Sequence, residues 1–363
     1  MTPDDGGSGD SGPGDRNPAG TPSEFRRDPI NGRLVLIAPG RSKRPGGFLT
    51  RAEGIGREAD DAASCPFCPG HENQTPPEIA ALRPAGSRPD GPGWRVRVVP
   101  NKYPALTEIA AGDREEEPSP GRMAGSGAHE VVIDSPHHDR EIDDLPDEDA
   151  ALTWRVIRDR VGDLEASGGH AYIQVFKNRG REAGASLRHP HTQIAALPLR
   201  PPRLAEEMAR FEAWASCRDG DCLLCRHLED EAVSDVRLVH RNRGFTALTP
   251  VGSAFPYETR IAPNSHAGSF ASLDDRSLVD LAACLRHVLG ALKRIGDDPA
   301  YNIVLYQAPV DGRSNFPAAL FHWHLDIFPL LVRTAGFEWG TGIHINPVAP
   351  EEAAAKLRAA SRG

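Results

Sequence analysis

The sequence lacks the long apolar segments of a membrane protein. No apolar run approaches the roughly 20 residues that a transmembrane helix needs, and the opening MTPDDGGSGD has no apolar region of the signal-peptide kind. Positive charge is also in deficit, since 42 Lys and Arg face 51 Asp and Glu and the net charge is −9. A general nucleic-acid-binding surface is therefore not expected. We expect a cytoplasmic protein with neither a membrane nor a nucleic acid as partner.

Cysteine is scarce, with six in 363 residues, and a cytoplasmic location disfavours disulfide bonds. Four of the six form two Cys-x-x-Cys pairs, Cys65/Cys68 and Cys222/Cys225, a spacing typical of zinc sites. A redox dithiol is the alternative for the first pair, but no thioredoxin-like helix pattern follows it. Free buried thiols are the alternative for the second pair. Cys284 lies in a helical apolar pattern and is predicted to be a core residue.

The length of 363 residues allows two domains of ordinary size. Hydrophobic residues at 39% and charged residues at 26% are typical of a globular enzyme. Residues 1–23 are mostly Gly, Pro, Asp and Ser, and we predict a disordered tail. The sequence Leu-Arg-Pro-Pro at 199–202 resembles a link between domains. We therefore predict an N-terminal domain at 24–198 and a C-terminal domain at 199–358.

The two halves of the chain repeat one order of features. Each has a Cys-x-x-Cys pair, several strands, a long helix and then a strand that carries histidines. The two helices are predicted at 147–164 and 274–294 from apolar residues at helical spacing, and the second histidine-bearing strand at 321–327. We interpret the repeat as an internal duplication. The predicted fold is α+β, with two similar domains that each form an antiparallel sheet with helices packed on it.

The stretch 170–198, HAYIQVFKNRGREAGASLRHPHTQIAALP, carries the clearest chemical signal. Its first residues alternate as in a strand, a glycine-containing loop follows at 178–186, and His189-Pro190-His191 precedes a second apolar run. Histidines two residues apart on a strand point to one face, and the proline between them stiffens the spacing. Small loop residues let backbone N–H groups approach an anion. The pattern predicts His191 as a nucleophile that attacks phosphorus.

Attack on phosphorus also requires donors that stabilise the phosphate oxygens as charge shifts. The candidates flank His191 in sequence: Gln193, Ser186, Asn178 and the backbone amides near Gly184. The alternative is a histidine pair with a purely structural role on a strand. The glycine-containing loop, Gln193 and the cysteines elsewhere favour the catalytic interpretation.

The Cys65/Cys68 pair supplies half of a tetrahedral zinc site and needs two further ligands. Five histidines are candidates by residue type: His71, His129, His137, His138 and His189. Sequence spacing alone does not choose between His137 and His138.

Six pieces of the chain form a specific combination, although no single piece is specific. They are RRDPINGRLVLIAPGRSKRP (26–45), CPFCPG (65–70), NKYPAL (101–106), HEVVIDSPHH (129–138), the stretch at 170–198 and AGFEWGTGIHINPVAPEEAA (335–354). Together they resemble the galactose-1-phosphate uridylyltransferase family of the histidine-triad superfamily, including its plant ADP-glucose phosphorylase branch. The resemblance spans about residues 24–358.

The resemblance implies two zinc ions per chain. It identifies His138, from the family pattern Ser-Pro-x-His, and His189 as the remaining ligands of the first site. For the second site it implies His266 and His322, with His227 and His240 as rivals. In the enterobacterial-type uridylyltransferases a histidine ligand precedes Gln-Ala-Pro, whereas this chain has Tyr306 there. A Cys2His2 zinc site is expected to replace the iron-type site of those enzymes.

The resemblance also implies substrate contacts. Arg27 and Arg41 are expected near the nucleotide phosphates, and Asn101 near the base or ribose. The partners implied are a nucleotide sugar and a sugar 1-phosphate or phosphate, and we expect a homodimer.

The leading hypothesis is a UDP-glucose–hexose-1-phosphate uridylyltransferase of galactose metabolism, which acts by double displacement through a nucleotidyl-histidine on His191. The alternative is an ADP-glucose phosphorylase, an adenylyltransferase that uses phosphate as acceptor. A third hypothesis, of another class, is a zinc-stabilised nucleotide-binding protein without turnover. Intact His191 and Gln193 argue against the third. Because His324 is followed by Leu325-Asp326, only the first half is expected to be catalytic.

Overall fold

The structure is a computed structural model that describes residues 22–43, 61–107, 121–312 and 318–362. Residues 1–21, which hold nearly all of the tail predicted to be disordered, lie outside the described part. The described strands, in chain order, are β1 Glu24–Arg27, β2 Leu34–Ile37, β3 Ala80–Leu82, β4 Val96–Pro100, β5 Ala128–Ile133, β6 Tyr172–Arg179, β7 His191–Leu197, β8 Leu238–Arg241, β9 Phe245–Leu248, β10 Thr259–Pro263, β11 Tyr301–Tyr306, β12 His324–Pro329 and β13 His344–Asn346. The described α-helices are α1 Asp147–Ser167, α2 Pro202–Cys217, α3 Leu223–Ser234, α4 Asp275–Ile295, α5 Gly336–Thr341 and α6 Pro350–Ser361.

Ten of the strands form one antiparallel sheet, in the order β3-β4-β5-β7-β6-β11-β12-β10-β9-β8. The first five belong to the N-terminal half and the last five to the C-terminal half. From the edge of the sheet to its middle, the N-terminal half contributes β3, β4, β5, β7 and β6. The C-terminal half contributes β8, β9, β10, β12 and β11, which is the same order along its own sequence. They meet where β6 pairs with β11, as at Phe176 opposite Val304. The α+β class is confirmed, and the two predicted sheets are joined into one.

One face of the sheet, the back face, is covered by the two long helices and by α6. Helices α1 and α4 present apolar residues at helical spacing, among them Trp154, Ile157, Leu281 and Leu285, to one continuous core. Each fully buried side chain of this size stabilises the fold by about 1.5–3 kcal/mol. Helix α4 begins at its capping residue, since the Asp274 carboxylate accepts a hydrogen bond from the Ser277 N–H at 2.7 Å. The bounds of both helices agree with the predicted ranges, 147–164 and 274–294, to within a few residues.

The opposite, front face is covered mainly in the C-terminal half. There α2 and α3 pack Leu204, Met208, Phe211, Leu224 and Leu228 against the strands. Helix α3 was not predicted, because Cys222 and Cys225 were interpreted as the start of a run of strands. Instead the Cys222 sulfur accepts from the Cys225 N–H at 3.4 Å and caps the helix. Among the described residues, the front face of the N-terminal half carries only a small apolar cluster around Trp94, Val99, Val131 and Ile133, so in this part of the chain it is the less covered of the two.

A second, three-stranded sheet joins the two ends of the described chain. Its order is β1-β2-β13, and β13 runs parallel to β2, with Ile345 opposite Leu36. It is attached to the C-terminal half by a buried ion pair between Asp28 and Arg260, at 3.3 Å. No helix in the described part of the chain is long and apolar enough to cross a membrane.

Candidate functional site

The front face of the N-terminal half gathers the side chains singled out around the histidine pair. His191 and Gln193 lie two residues apart on β7 and therefore share a face. Gln193 is opposite Phe176 on β6 and Val131 on β5. Asn178, two residues beyond Phe176, lies on the same face. The sheet thus brings His191, Gln193 and Asn178 together on its less covered side.

The orientation of His191 is set by its neighbour in the turn. Its Nδ1 lies 2.8 Å from the carbonyl oxygen of His189. A carbonyl only accepts, so Nδ1 carries the proton and Nε2 keeps its lone pair. Burial lowers the pKa of His191, against the raising effect of that hydrogen bond, and so favours the neutral imidazole. The Phe67 ring packs against His191 in a T-shaped arrangement, with ring centroids 5.4 Å apart. The His191 imidazole is therefore oriented and neutral, and its Nε2 lone pair is available for nucleophilic attack.

The loop between β6 and β7 is shaped by glycine and by two residues of the other half, Ala300 and Asn302. Gly180 has a φ of +87°, and a Cβ there would lie 2.7 Å from the Cβ of Ala300, so only glycine fits. Asn302 on β11 donates from its amide nitrogen to the Asn178 side-chain oxygen at 2.8 Å and to the Ala183 carbonyl at 2.9 Å. This leaves the amide nitrogen of Asn178 as the end directed away from Asn302.

The backbone amide of Gly184 is engaged within the loop. It donates to the Arg181 carbonyl at 2.9 Å, and the next amide donates to the Gly180 carbonyl at 3.1 Å. Gly184 itself adopts a left-handed conformation with a φ of +86°. Its contribution in this structure is therefore to the shape of the loop, and the side-chain donors are better placed to meet a phosphate.

The first Cys-x-x-Cys pair meets two histidines beside this loop. The ligand atoms of Cys65, Cys68, His138 and His189 all lie within 4.8 Å of one another. Sulfur-to-Nδ1 distances are 3.7 Å from Cys65 to His189, 3.6 Å from Cys68 to His189 and 3.4 Å from Cys68 to His138. Bond lengths of about 2.3 Å to sulfur and 2.0 Å to nitrogen give a tetrahedral edge of roughly 3.5 Å. The four residues therefore fit a tetrahedral zinc ion.

The protonation of His189 suits this arrangement. Its Nε2 donates to the Ser135 carbonyl at 2.8 Å, which leaves the Nδ1 lone pair directed at the sulfurs. Burial lowers the pKa of His189 to about 4, which also favours the neutral ligand form. Of the rival histidines, His71 turns its Nδ1 to the Cys65 carbonyl at 2.7 Å. His137 is exposed, and His129 contacts Gln193 instead.

The second pair forms an equivalent group with Cys222, Cys225, His266 and His322, again within 4.8 Å. The Nδ1 of His322 lies 3.3 Å from the Cys225 sulfur, and that of His266 lies 3.7 Å from it. Both rings donate from Nε2 to carbonyls, of Pro263 at 3.1 Å and of Ala319 at 2.6 Å. The rivals lie elsewhere: His240 stacks on His287, and His227 lies 3.8 Å from Glu231.

A buried ion cluster lies on the back face beneath the histidine turn. The Lys177 ammonium lies 2.8 Å from Asp134 and 3.1 Å from Glu141. Burial alone would lower the pKa of Lys177, but the two carboxylates outweigh it and raise the pKa. The backbone N–H of Asp134 donates to the Pro190 carbonyl at 3.1 Å. The cluster therefore braces the turn that carries His191, and no sequence pattern marked it.

The four remaining predicted substrate contacts, Asn101, Ser186, Arg27 and Arg41, lie in different parts of the fold. Asn101 follows β4, and its N–H donates to the His129 carbonyl at 2.8 Å, which places it beside Gln193. Ser186 is exposed in the loop before His189. Arg27 and Arg41 are exposed on the small sheet and on the 3-10 turn after it. That sheet packs on the C-terminal half, as the Asp28–Arg260 ion pair shows, and among the described residues of one chain no contact brings these arginines to His191.

The corresponding front-face position of the C-terminal half is closed. His324 and Asp326 on β12 occupy the places of His191 and Gln193, and both are fully buried. Asp326 is bound by Arg260 at 2.8 Å, while Glu207 of α2 lies 3.9 Å from His324. Arg203 covers the Tyr306 ring at 4.8 Å. Helix α2 and this ion network therefore fill the volume that the described residues of the N-terminal half leave open.

The Glu207 carboxyl makes stability depend on pH. Burial raises its pKa to about 8, from an ordinary value of 4.5. A raised carboxyl pKa stabilises the fold below about pH 4.5, and that contribution is lost as the pH rises through about 8. We expect Glu207→Gln to remove part of the fall in stability between these values, by at most about 1.4 kcal/mol per pH unit. Urea unfolding of wild type and variant at pH 5, 6.5 and 8 measures it.

Glu212→Gln provides the control, since Glu212 is exposed on the same helix. It should leave the pH dependence of stability unchanged. Equal slopes for wild type and Glu207→Gln would show that Glu207 does not hold a proton in the folded protein.

The chain is similar in sequence to one protein family and to named members of it. Residues 20–201 match the family model described as galactose-1-phosphate uridyl transferase, N-terminal domain. ADP-glucose phosphorylase of Arabidopsis thaliana is 34% identical and covers 93% of each chain. Galactose-1-phosphate uridylyltransferase of Thermotoga maritima is 29% identical over 92% of this chain and 98% of that protein.

Solved structures agree over most of the chain. The crystal structure of the Arabidopsis ADP-glucose phosphorylase with bound ADP-glucose superposes with a TM-score of 0.78, at 32% identity, over 93% of this chain and 99% of that one. A uridylyltransferase structure superposes with a TM-score of 0.70, at 30% identity, over 93% and 98% of the two chains.

Proposed function

The chain belongs to the galactose-1-phosphate uridylyltransferase family, and on that premise we propose that it is a nucleotidyltransferase whose nucleophile is His191. The leading assignment is UDP-glucose–hexose-1-phosphate uridylyltransferase, with galactose 1-phosphate as acceptor. The observation that carries the chemistry is the His191 imidazole, with its Nδ1–H held by the His189 carbonyl at 2.8 Å and its Nε2 lone pair left for attack.

The reaction is a double displacement at the α-phosphorus. His191 Nε2 forms a bond to phosphorus as the bond to the hexose 1-phosphate oxygen breaks, and hexose 1-phosphate leaves. The oxygen of a second phosphate then attacks the same phosphorus and releases His191. Donors aimed at the phosphate oxygens lower both barriers. We assign this role to the amide nitrogens of Gln193 and Asn178 and to the Ser186 hydroxyl.

ADP-glucose phosphorylase is a second candidate, with phosphate as the acceptor. It is supported by the 34% identity to the Arabidopsis enzyme of that name and by the TM-score of 0.78 to its complex with ADP-glucose. The His191 chemistry is the same in both, so the two assignments differ in base recognition and acceptor.

We further propose that two zinc ions bind per chain, one at each Cys2His2 group. At the first site Cys65, Cys68, His138 and His189 would hold the ion, which would fix the start of the turn that carries His191 and so act structurally. Arg27 and Arg41 are proposed to meet the nucleotide phosphates. Because their sheet packs on the C-terminal half of its own chain, a homodimer, in which a partner's sheet approaches the His191 face, is part of this proposal. A cytoplasmic location completes it.

The division into duplicated domains at 24–198 and 199–358 is also proposed, on the strength of the matching strand order in the two halves of the sheet. Only the N-terminal half should catalyse. In the C-terminal half, Asp326 replaces Gln193 and is bound to Arg260, and helix α2 covers His324.

The assignment is tested by incubating the protein with UDP-glucose or ADP-glucose, each with galactose 1-phosphate or inorganic phosphate. The leading assignment predicts UDP-galactose and glucose 1-phosphate from the first pair of substrates. Release of ADP and glucose 1-phosphate from ADP-glucose and phosphate would establish the second candidate instead. Turnover of none of the four combinations would contradict both.

Gln193 should matter for turnover more than for binding. Its neutral amide can follow a phosphate oxygen through both half-reactions, whereas a fixed cation would hold the nucleotidyl intermediate too tightly. We expect Gln193→Arg and Gln193→Ala to lower kcat by about 10²–10³-fold, with a much smaller change in nucleotide affinity. Steady-state kinetics and equilibrium binding of the nucleotide sugar measure the two quantities. Turnover within a few-fold of wild type in both variants would remove Gln193 from the phosphate clamp.

A further inference from the structure

The donor role proposed for Gln193 depends on which end of its amide faces the substrate. A glutamine amide has an accepting oxygen and a donating nitrogen at nearly equal positions. A phosphate oxygen accepts hydrogen bonds, so the amide nitrogen must face it. Gln193 lies partly buried in the middle of β7, between β5 and β6, and its backbone does not decide the rotation of the amide. The rotation of the Gln193 amide must therefore be fixed by a side chain on a neighbouring strand.

His129 on β5 is placed to do so. It pairs with Ala195, two residues from Gln193, so His129 and Gln193 are diagonal neighbours on the same face of the sheet. The Nε2 of His129 lies 2.9 Å from the Gln193 side-chain oxygen. Within the described part of the chain, the Gln193 amide nitrogen has no hydrogen-bond partner.

The proton on His129 is located by its other nitrogen. The backbone N–H of Ala105 donates to His129 Nδ1 at 3.0 Å. A backbone N–H only donates, so Nδ1 holds the lone pair and the proton of the neutral ring is on Nε2. His129 Nε2 therefore donates to the Gln193 oxygen. The nitrogen of Asn101, 3.3 Å from the same Nε2, cannot donate to it.

We propose that His129 is a positioning residue that fixes the Gln193 side chain with its amide nitrogen toward the phosphate. The chain of contacts runs from the Ala105 N–H through the His129 ring to the Gln193 oxygen. It also couples the loop 101–107, which follows β4, to the phosphate clamp. The inference rests on the proposed nucleotidyl transfer, because that reaction gives the Gln193 orientation its consequence.

Two substitutions test the roles of the two imidazole nitrogens of His129 separately. His129→Gln can place an amide nitrogen near the position of Nε2 and keep the donor to Gln193. His129→Asn can reach only the position of Nδ1, so it keeps a partner for Ala105 and loses the contact to Gln193. We expect His129→Asn to lower kcat by about 10–10²-fold, less than the loss of the whole Gln193 donor, with nucleotide affinity nearly unchanged. His129→Gln should recover most of kcat.

A double-mutant cycle distinguishes positioning from general support of the fold. Once Gln193 is Ala, adding His129→Asn should lower kcat no further, since the residue it orients is gone. Multiplicative losses in kcat, or equal losses for His129→Asn and His129→Gln, would overturn the proposal.

The tautomer gives a readout that does not depend on activity. Side-chain nitrogen NMR of the wild-type protein should show His129 with its proton on Nε2 at neutral pH, and a proton on Nδ1 would overturn the proposal. If the wild-type protein transfers no nucleotide in any substrate combination, the proposed function fails, while the tautomer still tests the geometry around Gln193.

Discussion

His191→Ala is expected to abolish nucleotide transfer, by about 10⁴-fold or more in kcat. The substitution removes the nitrogen that we propose forms the covalent intermediate, and neighbouring hydrogen-bond donors cannot replace a nucleophile. The fold should persist, because His191 is not one of the four residues that fit the first zinc ion. Turnover with the preferred nucleotide sugar, zinc content and thermal unfolding measure the three expectations.

His137→Ala is the matched control. It removes an exposed histidine near the same zinc group without touching the reacting centre. Its activity should match that of the wild type. A smaller variant, His191→Gly, should leave room for a preformed nucleotidyl-imidazole to react with the acceptor. Wild-type exchange of label between nucleotide sugar and hexose 1-phosphate in His191→Ala would contradict the assignment of the nucleophile.

Cys65→Ser should have the largest effect on stability. It removes one thiolate from a buried tetrahedral group that includes His189, the residue that begins the turn carrying His191. We expect zinc content to fall from two ions per chain to one. We expect the melting temperature to fall on the order of 10 °C, since each 1 kcal/mol corresponds to about 2–4 °C in a domain of this size. Metal analysis and thermal unfolding test both.

Cys217→Ser is the control for this prediction, because Cys217 is exposed and outside both metal groups. It should leave zinc content and melting temperature unchanged. If Cys65→Ser still carries two zinc ions, or melts together with Cys217→Ser, the first group is not a zinc site. One zinc ion or none in freshly purified wild-type protein, without chelator, would also count against the proposal.

The features predicted well from the sequence are those fixed by local chemistry. Helix α4 begins where an aspartate can cap it and continues while apolar residues recur at helical spacing. The strands around His191 follow from β-branched residues on either side of a glycine loop. The residues of both Cys2His2 groups were named from the resemblance, and the structure brings each set together.

The features that were missed depend on contacts far apart in the chain. The joining of the two halves at β6 and β11, and the parallel pairing of β2 with β13, leave no local pattern. A lysine in a strand is usually exposed. Lys177 is buried because Asp134 and Glu141, which are distant in sequence, form ion pairs with it. His129 was considered only as a zinc ligand, and its contact with Gln193 required the strand register.

The covalent nucleotidyl-histidine is the central claim, and isotope exchange without a second acceptor tests it most directly. The purified protein is mixed with UDP-glucose or ADP-glucose and labelled glucose 1-phosphate alone, and the label in the nucleotide sugar is followed with time. Double displacement predicts exchange without any other acceptor, together with a nucleotidyl group on the peptide that contains His191. Exchange that requires galactose 1-phosphate or phosphate to be present, with no modified peptide, would contradict it.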